Sequence, residues 1–122
     1  MNKRTKNWLL VFIWAGFIFF LSNQPGLKSG LPGQWDFLLR KIAHFSEYAI
    51  LTWFLIRALK KEQISSKQIL ILAVSLSILY AISDEYHQSF ISEREGAWRD
   101  IMIDSLGTLA AAWLYQRKMI NY

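Results

Sequence analysis

Residues 7–27 carry no charge and include WLLVFIWAGFIFFLS, a run that is apolar on every side of a helix. A helix without a polar stripe has no face to offer water, so a run of roughly 20 such residues reads as a lipid-embedded span. The competing reading is one deeply buried helix of a soluble protein. That helix would have to cover Trp8, Phe12, Trp14, Phe17, Phe19 and Phe20 at once. The basic start MNKRTK resembles the opening of a secretory signal, but no small-x-small cleavage site follows the apolar run. The segment is therefore expected to remain as an uncleaved anchor.

At 122 residues the chain has a one-domain length, and a single transmembrane domain over 1–122 is expected. About four spans of ~20 residues fit into it. The remaining runs are shorter. Residues 42–56 contain His44 and Glu47, residues 68–83 are clean, and residues 105–116 are brief. The last two reach span length only by taking in the ionisable residues at one end, within 84–88 and 98–104. Such groups cost up to ~3 kcal/mol each at mid-bilayer on insertion scales, and less near the interface. The predicted fold is an all-α, four-span transmembrane helix bundle. The absence of cysteine excludes disulfides, thiolate zinc sites and cysteine nucleophiles.

Charge sets the orientation. With four spans and the N-terminus inside, Lys3, Arg4, Lys6, Arg57, Lys60, Lys61, Lys67, Arg117 and Lys118 fall on one side, against Lys28, Arg40, Lys41, Arg94 and Arg99 on the other. That bias places both termini in the cytoplasm. Of the acids, only Glu62 falls in the cytoplasmic segments. The net charge of +5 then belongs mostly to an inner face meeting anionic lipid. Nucleic acid is excluded as a partner, because no basic-aromatic tract or nucleic-acid module is present. Residues 23–40 hold both prolines with Gly26, Gly30 and Gly33, and read as an outer loop with a short interfacial helix over 34–40. Residues 57–67 form a short basic loop and 89–97 an outer turn.

In an up-down-up-down bundle the outer ends are the C-termini of spans 1 and 3 and the N-termini of spans 2 and 4. Ser22 and Gln24 follow span 1. Lys41, His44 and Glu47 open span 2, and Asp84, Glu85, His87 and Gln88 close span 3. Arg94, Arg99, Asp100 and Asp104 lead into span 4. All four groups thus meet at one membrane face. Helical spacing puts His44, Glu47, Tyr48 and Leu51 on one stripe, Asp84, His87 and Gln88 on another, and Asp100, Asp104, Gly107 and Ala111 on a third. In lipid such stripes must face protein, and the small residues of the third let a neighbouring helix approach closely.

FLSNQP, KIAHFSEYAIL, AISDEYHQSFISEREG and WRDIMIDSLGTLAA, in this order, together resemble the VanZ-like family of small bacterial integral membrane proteins. The resemblance covers nearly the whole chain. It rests on Ser22 and Gln24, on Lys41 with His44, on Asp84, Glu85, His87 and Gln88, on Arg94, and on Asp100, Asp104 and Gly107. One departure is the Ser92-Glu93 pair ahead of Arg94, where a Pro-Gly type turn is expected. The resemblance implies a multi-pass protein of the bacterial cytoplasmic membrane, similar to an accessory protein of glycopeptide-resistance clusters associated with raised teicoplanin resistance. It implies no reaction.

The residue types leave several chemistries open. The paired His and carboxylate spacings resemble the ligand pairs of helix-bundle metal sites, and would suit zinc, manganese or iron. They equally suit an ion network in which Lys41 and Arg94 neutralise the acids. Without a metal, His44 or His87 is placed to act as base or nucleophile and Glu85 or Asp84 to orient or protonate, with Glu47, Asp100 and Asp104 completing the candidate catalytic set. Ser22, Gln24, Lys41, Gln88 and Arg94 are the expected ligand-holding residues. The partners expected are the lipid bilayer and a lipid-linked cell-wall precursor, a phospholipid or a lipoglycopeptide. Two functions follow: recognition of a lipid-linked or amphiphilic headgroup at the outer leaflet, or a small membrane enzyme acting on a lipid phosphate.

Overall fold

A computed structural model describes residues 1–23, 31–90 and 98–121, all of the regular structure being helical. Helix α1 spans Lys3–Ser22, α2 Gly33–Leu59, α3 Ser66–Gln88 and α4 Trp98–Asn121. The Asn2 side chain caps α1 by accepting from the Thr5 N–H at 2.8 Å. Ser65 and Gln68 form a reciprocal capping box at the start of α3. The expected short helix over 34–40 is not separate. It is the first two turns of α2, because Pro32 sits at the N-cap and neither proline nor a second glycine interrupts the sequence from there to Leu59. At 27 residues, α2 is ~40 Å long, which exceeds the ~30 Å hydrocarbon core of a bilayer.

Helix α2 packs against the other three, most extensively against α4, and α1 lies against α2 and α3. Each buried face follows helical spacing. On α1 it is Asn7, Val11, Ile18 and Ser22; on α3 Ile69, Ala73, Ser77, Ala81 and Glu85, a strict four-residue ladder. On α4 it is Asp100, Asp104, Thr108, Ala111 and Tyr115, with Gly107 between them. Gly107 is a point of backbone contact: a Cβ there would stand 2.1 Å from the Phe45 carbonyl oxygen of α2. The α2–α4 approach therefore requires glycine.

Polarity is distributed opposite to that of a water-soluble bundle. The interior holds Thr52, Ser77, Asp84, Glu85, Gln88, Asp104 and Thr108. The outer surface shows Phe12 (68% exposed), Ile13 and Phe20 on α1, Ile42 and Phe45 on α2, Ile71 and Leu79 on α3, and Met102, Leu106 and Leu109 on α4. By length and composition, α1 and α3 are apolar enough to cross a membrane. Helices α2 and α4 bury acids, Asp36 on α2 and Asp100 and Asp104 on α4, and leave Arg40, Arg57, Arg99, Arg117 and Lys118 exposed.

The end of the bundle remote from those acids is tied by Glu62, between α2 and α3. It accepts from Arg4 Nε at 2.8 Å and Nη2 at 2.9 Å, and from Trp8 Nε1 at 3.0 Å. The hydrogen bond from Arg4, then that from Trp8, holds the Glu62 carboxyl below its usual range. Deeper in the bundle, Trp14 Nε1 donates to the Glu47 carbonyl at 2.9 Å, and the Tyr80 hydroxyl donates to the Ala15 carbonyl at 2.5 Å. Both bonds fix the rotation of α1.

Candidate functional site

The polar groups collect where α1 and α3 end and where α2 and α4 begin. Helix α2 brings Arg40, His44, Glu47 and Tyr48 along one stripe, α3 brings Asp84, Glu85 and Gln88, and α4 brings Asp100 and Asp104. Between α1, α2 and α3 lies a cavity of about 230 Å³, lined by Ile18, Leu21 and Ser22 of α1, Arg40, Ala43, His44 and Glu47 of α2, and Asp84 and Gln88 of α3. Arg40 stands at this cavity paired with Asp36 one turn back, its Nε 3.1 Å from Oδ2 and its side chain half exposed. Ser22 is 1% exposed, and its hydroxyl has no hydrogen-bond partner among the described residues.

Behind His44, away from this cavity, sits Asp104 with no exposed surface. His44 Nδ1 approaches Asp104 Oδ1 to 3.2 Å. The approach is oblique, and neither His44 Nδ1 nor either Asp104 oxygen makes an aligned hydrogen bond to a described residue. A buried carboxylate in that position is tolerable only beside a positive partner. Glu85 completes a group in which one ligand atom from each of His44, Glu85 and Asp104 lies within 4.8 Å of the others. Asp84 turns elsewhere and accepts from the Tyr48 hydroxyl at 3.1 Å. One helical turn deeper, Thr52 Oγ1 lies 2.8 Å from Ser77 Oγ and 3.1 Å from Thr108 Oγ1, and donates to the Tyr48 carbonyl. These hydroxyls form a polar floor that ties α2, α3 and α4 together.

The sequence-derived set is thus divided. Ser22, His44, Glu47, Asp84 and Gln88 share the cavity, and Glu85 and Asp104 join His44 behind it. Lys41 is engaged with Asp100 in an ion pair between α2 and α4. His87 stacks on Phe19 of α1 at 4.8 Å between ring centroids and does not line the cavity. The spacing-based pairs, His44 with Glu47 and Asp84 with His87, do not form the compact group. Gln24 and Arg94 lie outside the described residues. Arg40 and the Tyr48, Thr52, Ser77 and Thr108 hydroxyls were missing from the sequence-derived set. Their signal is the continuation of the same stripes, at four residues before and four and eight after His44, seven before Asp84 and four after Asp104.

A family model described as VanZ/LLP1 matches residues 7–120. The chain belongs to the VanZ/LLP1 family. No curated protein and no solved structure matches it. In this VanZ/LLP1 member the polar elements that carried the resemblance occupy one end of the bundle wherever the structure describes them: Ser22, Lys41, His44, Asp84 to Gln88, Asp100, Asp104 and Gly107.

Proposed function

We propose that this protein is a four-span protein of the bacterial cytoplasmic membrane, forming one domain with both termini inside, and that its cavity takes the polar head of a lipid-linked or amphiphilic molecule from the outer leaflet. The observation that carries this reading is the inverted polarity. Acids, a histidine and an arginine surround a small cavity at one end of a bundle whose four helices all expose large apolar side chains. An amphiphile matches this arrangement, its tail lying along the apolar exterior and its head entering between α1, α2 and α3. A cavity of about 230 Å³ is smaller than the ~300–1,000 Å³ of sites that engulf drug-sized ligands. A headgroup suits it, whereas a whole lipoglycopeptide would place only one part there.

The His44–Asp104 arrangement favours a second reading. A carboxylate behind an imidazole that lines a cavity is the relation of an orienting acid to a general base or nucleophile. With Nδ1 turned to Asp104, Nε2 is the ring nitrogen left to meet a ligand. The protein would then act on a lipid phosphate, with Arg40 at the cavity to hold the phosphoryl oxygens.

Topology is tested by cysteine labelling on intact cells, in a chain that has no native cysteine. Cysteine introduced at the exposed positions Gln34 and Ser89 is expected to react with an impermeant reagent from outside, and at Gln63 only after lysis. Labelling at 63 but at neither 34 nor 89 would reverse the orientation. Function is tested by susceptibility: expression is expected to protect cells more against lipid-tailed glycopeptides than against tail-less ones. Arg40→Ala and Ser22→Leu should each abolish the difference while the protein remains inserted. Equal protection by variants and wild type would remove the cavity from the account. Turnover of a lipid phosphate, lost in His44→Ala, would select the enzyme reading.

A further inference from the structure

We propose that His44, Glu85 and Asp104 bind a divalent first-row transition metal ion, held between α2, α3 and α4 beside the cavity. Three observations converge. The three side chains come from three helices, yet each places a ligand-type atom within 4.8 Å of the others. Tetrahedral coordination at zinc bond lengths separates ligand atoms by about 3.4 Å, so side-chain adjustments alone close the group. Asp104 is 0% exposed, and both its carboxylate oxygens lack a hydrogen bond to any described residue. A carboxyl so placed must be neutralised by a cation or a proton, and the one positive partner within reach among the described residues is the oblique His44 imidazole. Finally, two neighbouring acids are turned to other partners, Asp100 to Lys41 and Asp84 to the Tyr48 hydroxyl, and stand outside the group.

The donor set selects the ion. One imidazole and two carboxylates favour zinc over manganese by the general order of affinities, and the nitrogen donor disfavours magnesium and calcium. Three protein ligands also leave a tetrahedral ion one open position, the arrangement of sites that bind a substrate or water. Because His44 belongs both to this group and to the cavity wall, that position is within reach of a headgroup oxygen. This last step rests on the headgroup reading; metal binding itself does not.

The competing occupant is a proton on His44, which would make a simple ion pair with Asp104. Calorimetric titration of the full chain in detergent, stripped with chelator and free of lipid phosphate, separates the two. One zinc ion per chain is expected, with manganese weaker. Asp104→Asn and Glu85→Gln should each weaken zinc by more than about 100-fold, since they remove direct ligands rather than their outer partners. His44→Cys replaces the imidazole with a thiolate ligand and should retain the site, and its cobalt-loaded form should gain the sulfur-to-cobalt charge-transfer absorption that the wild type lacks. Helical, cooperatively melting wild type that binds neither ion would overturn the proposal. So would zinc binding unchanged in both carboxamide variants, with no charge-transfer band in His44→Cys. Adding a short-chain lipid phosphate to stripped and loaded protein keeps the readings apart: zinc without headgroup binding defeats the proposed function, and headgroup binding without zinc defeats the metal site.

Discussion

Replacing Gly107 with alanine is expected to cost the bundle about 3 kcal/mol or more, at or beyond the upper end of what overpacking a core usually costs. The new Cβ would meet the Phe45 carbonyl oxygen at 2.1 Å. A backbone oxygen has no rotamer through which to retreat, so α2 and α4 must separate. Their separation disturbs the largest helix contact in the molecule and the pairings of Lys41 with Asp100 and His44 with Asp104 that cross it. Gly16 provides the control, because a Cβ there meets nothing within 4 Å. Gly16→Ala should melt at or slightly above the wild-type temperature in detergent, and Gly107→Ala far below it or without a cooperative transition. Similar melting of the two variants would mean that the α2–α4 approach is looser than described.

His44→Ala is expected to be the second severe change, costing ~3–5 kcal/mol in chelator-treated protein because it strands a buried carboxylate. Asp104 has no exposed surface, and among the described residues only the oblique His44 imidazole stands beside it as a positive partner, with no aligned hydrogen bond to either carboxylate oxygen. Asp104→Asn in the His44→Ala background should therefore recover much of the loss, since a neutral amide is cheaper to bury than an unpaired charge. Unfolding measurements on the four members of this cycle should give a coupling above ~1 kcal/mol. His44 and His87 should instead add to within ~0.5 kcal/mol, since His87 stacks on Phe19. Strong coupling of the two histidines, or none between His44 and Asp104, would contradict the described arrangement.

How far the sequence reached can be seen on α4. Asp100, Asp104, Gly107 and Ala111 repeat at helical spacing, and all four are buried. The period alone was enough to find that face, and the same logic gathered the polar ends of all four helices at one end of the bundle. Partner choice was not legible. Whether Lys41 meets Asp100 or a ligand, and whether Asp104 or Glu47 backs His44, depends on the rotation and axial offset of each helix, which a linear pattern does not encode. The start of α2 differs from the sequence expectation for another reason. Proline and glycine density over 23–40 suggests a loop, whereas proline ahead of an uninterrupted helical stretch marks its beginning. The continuous helix puts Arg40 one turn before His44 on the same face.

The central claim is that the cavity between α1, α2 and α3 receives a headgroup. Its most direct test is saturable binding of a short-chain isoprenyl phosphate to the protein in nanodiscs, measured for wild type, Ser22→Leu and Arg40→Ala. Ser22→Leu fills the cavity from the α1 wall, and Arg40→Ala removes the cation at its edge. Arg40 pairs with Asp36 of its own helix, and the Ser22 hydroxyl has no hydrogen-bond partner among the described residues, so neither change removes an interhelical polar bond described here. Saturable binding by the wild type, weakened at least ~10-fold in each folded variant, is the predicted result. Absence of saturable binding by the wild type, or equal binding by all three proteins, would contradict it.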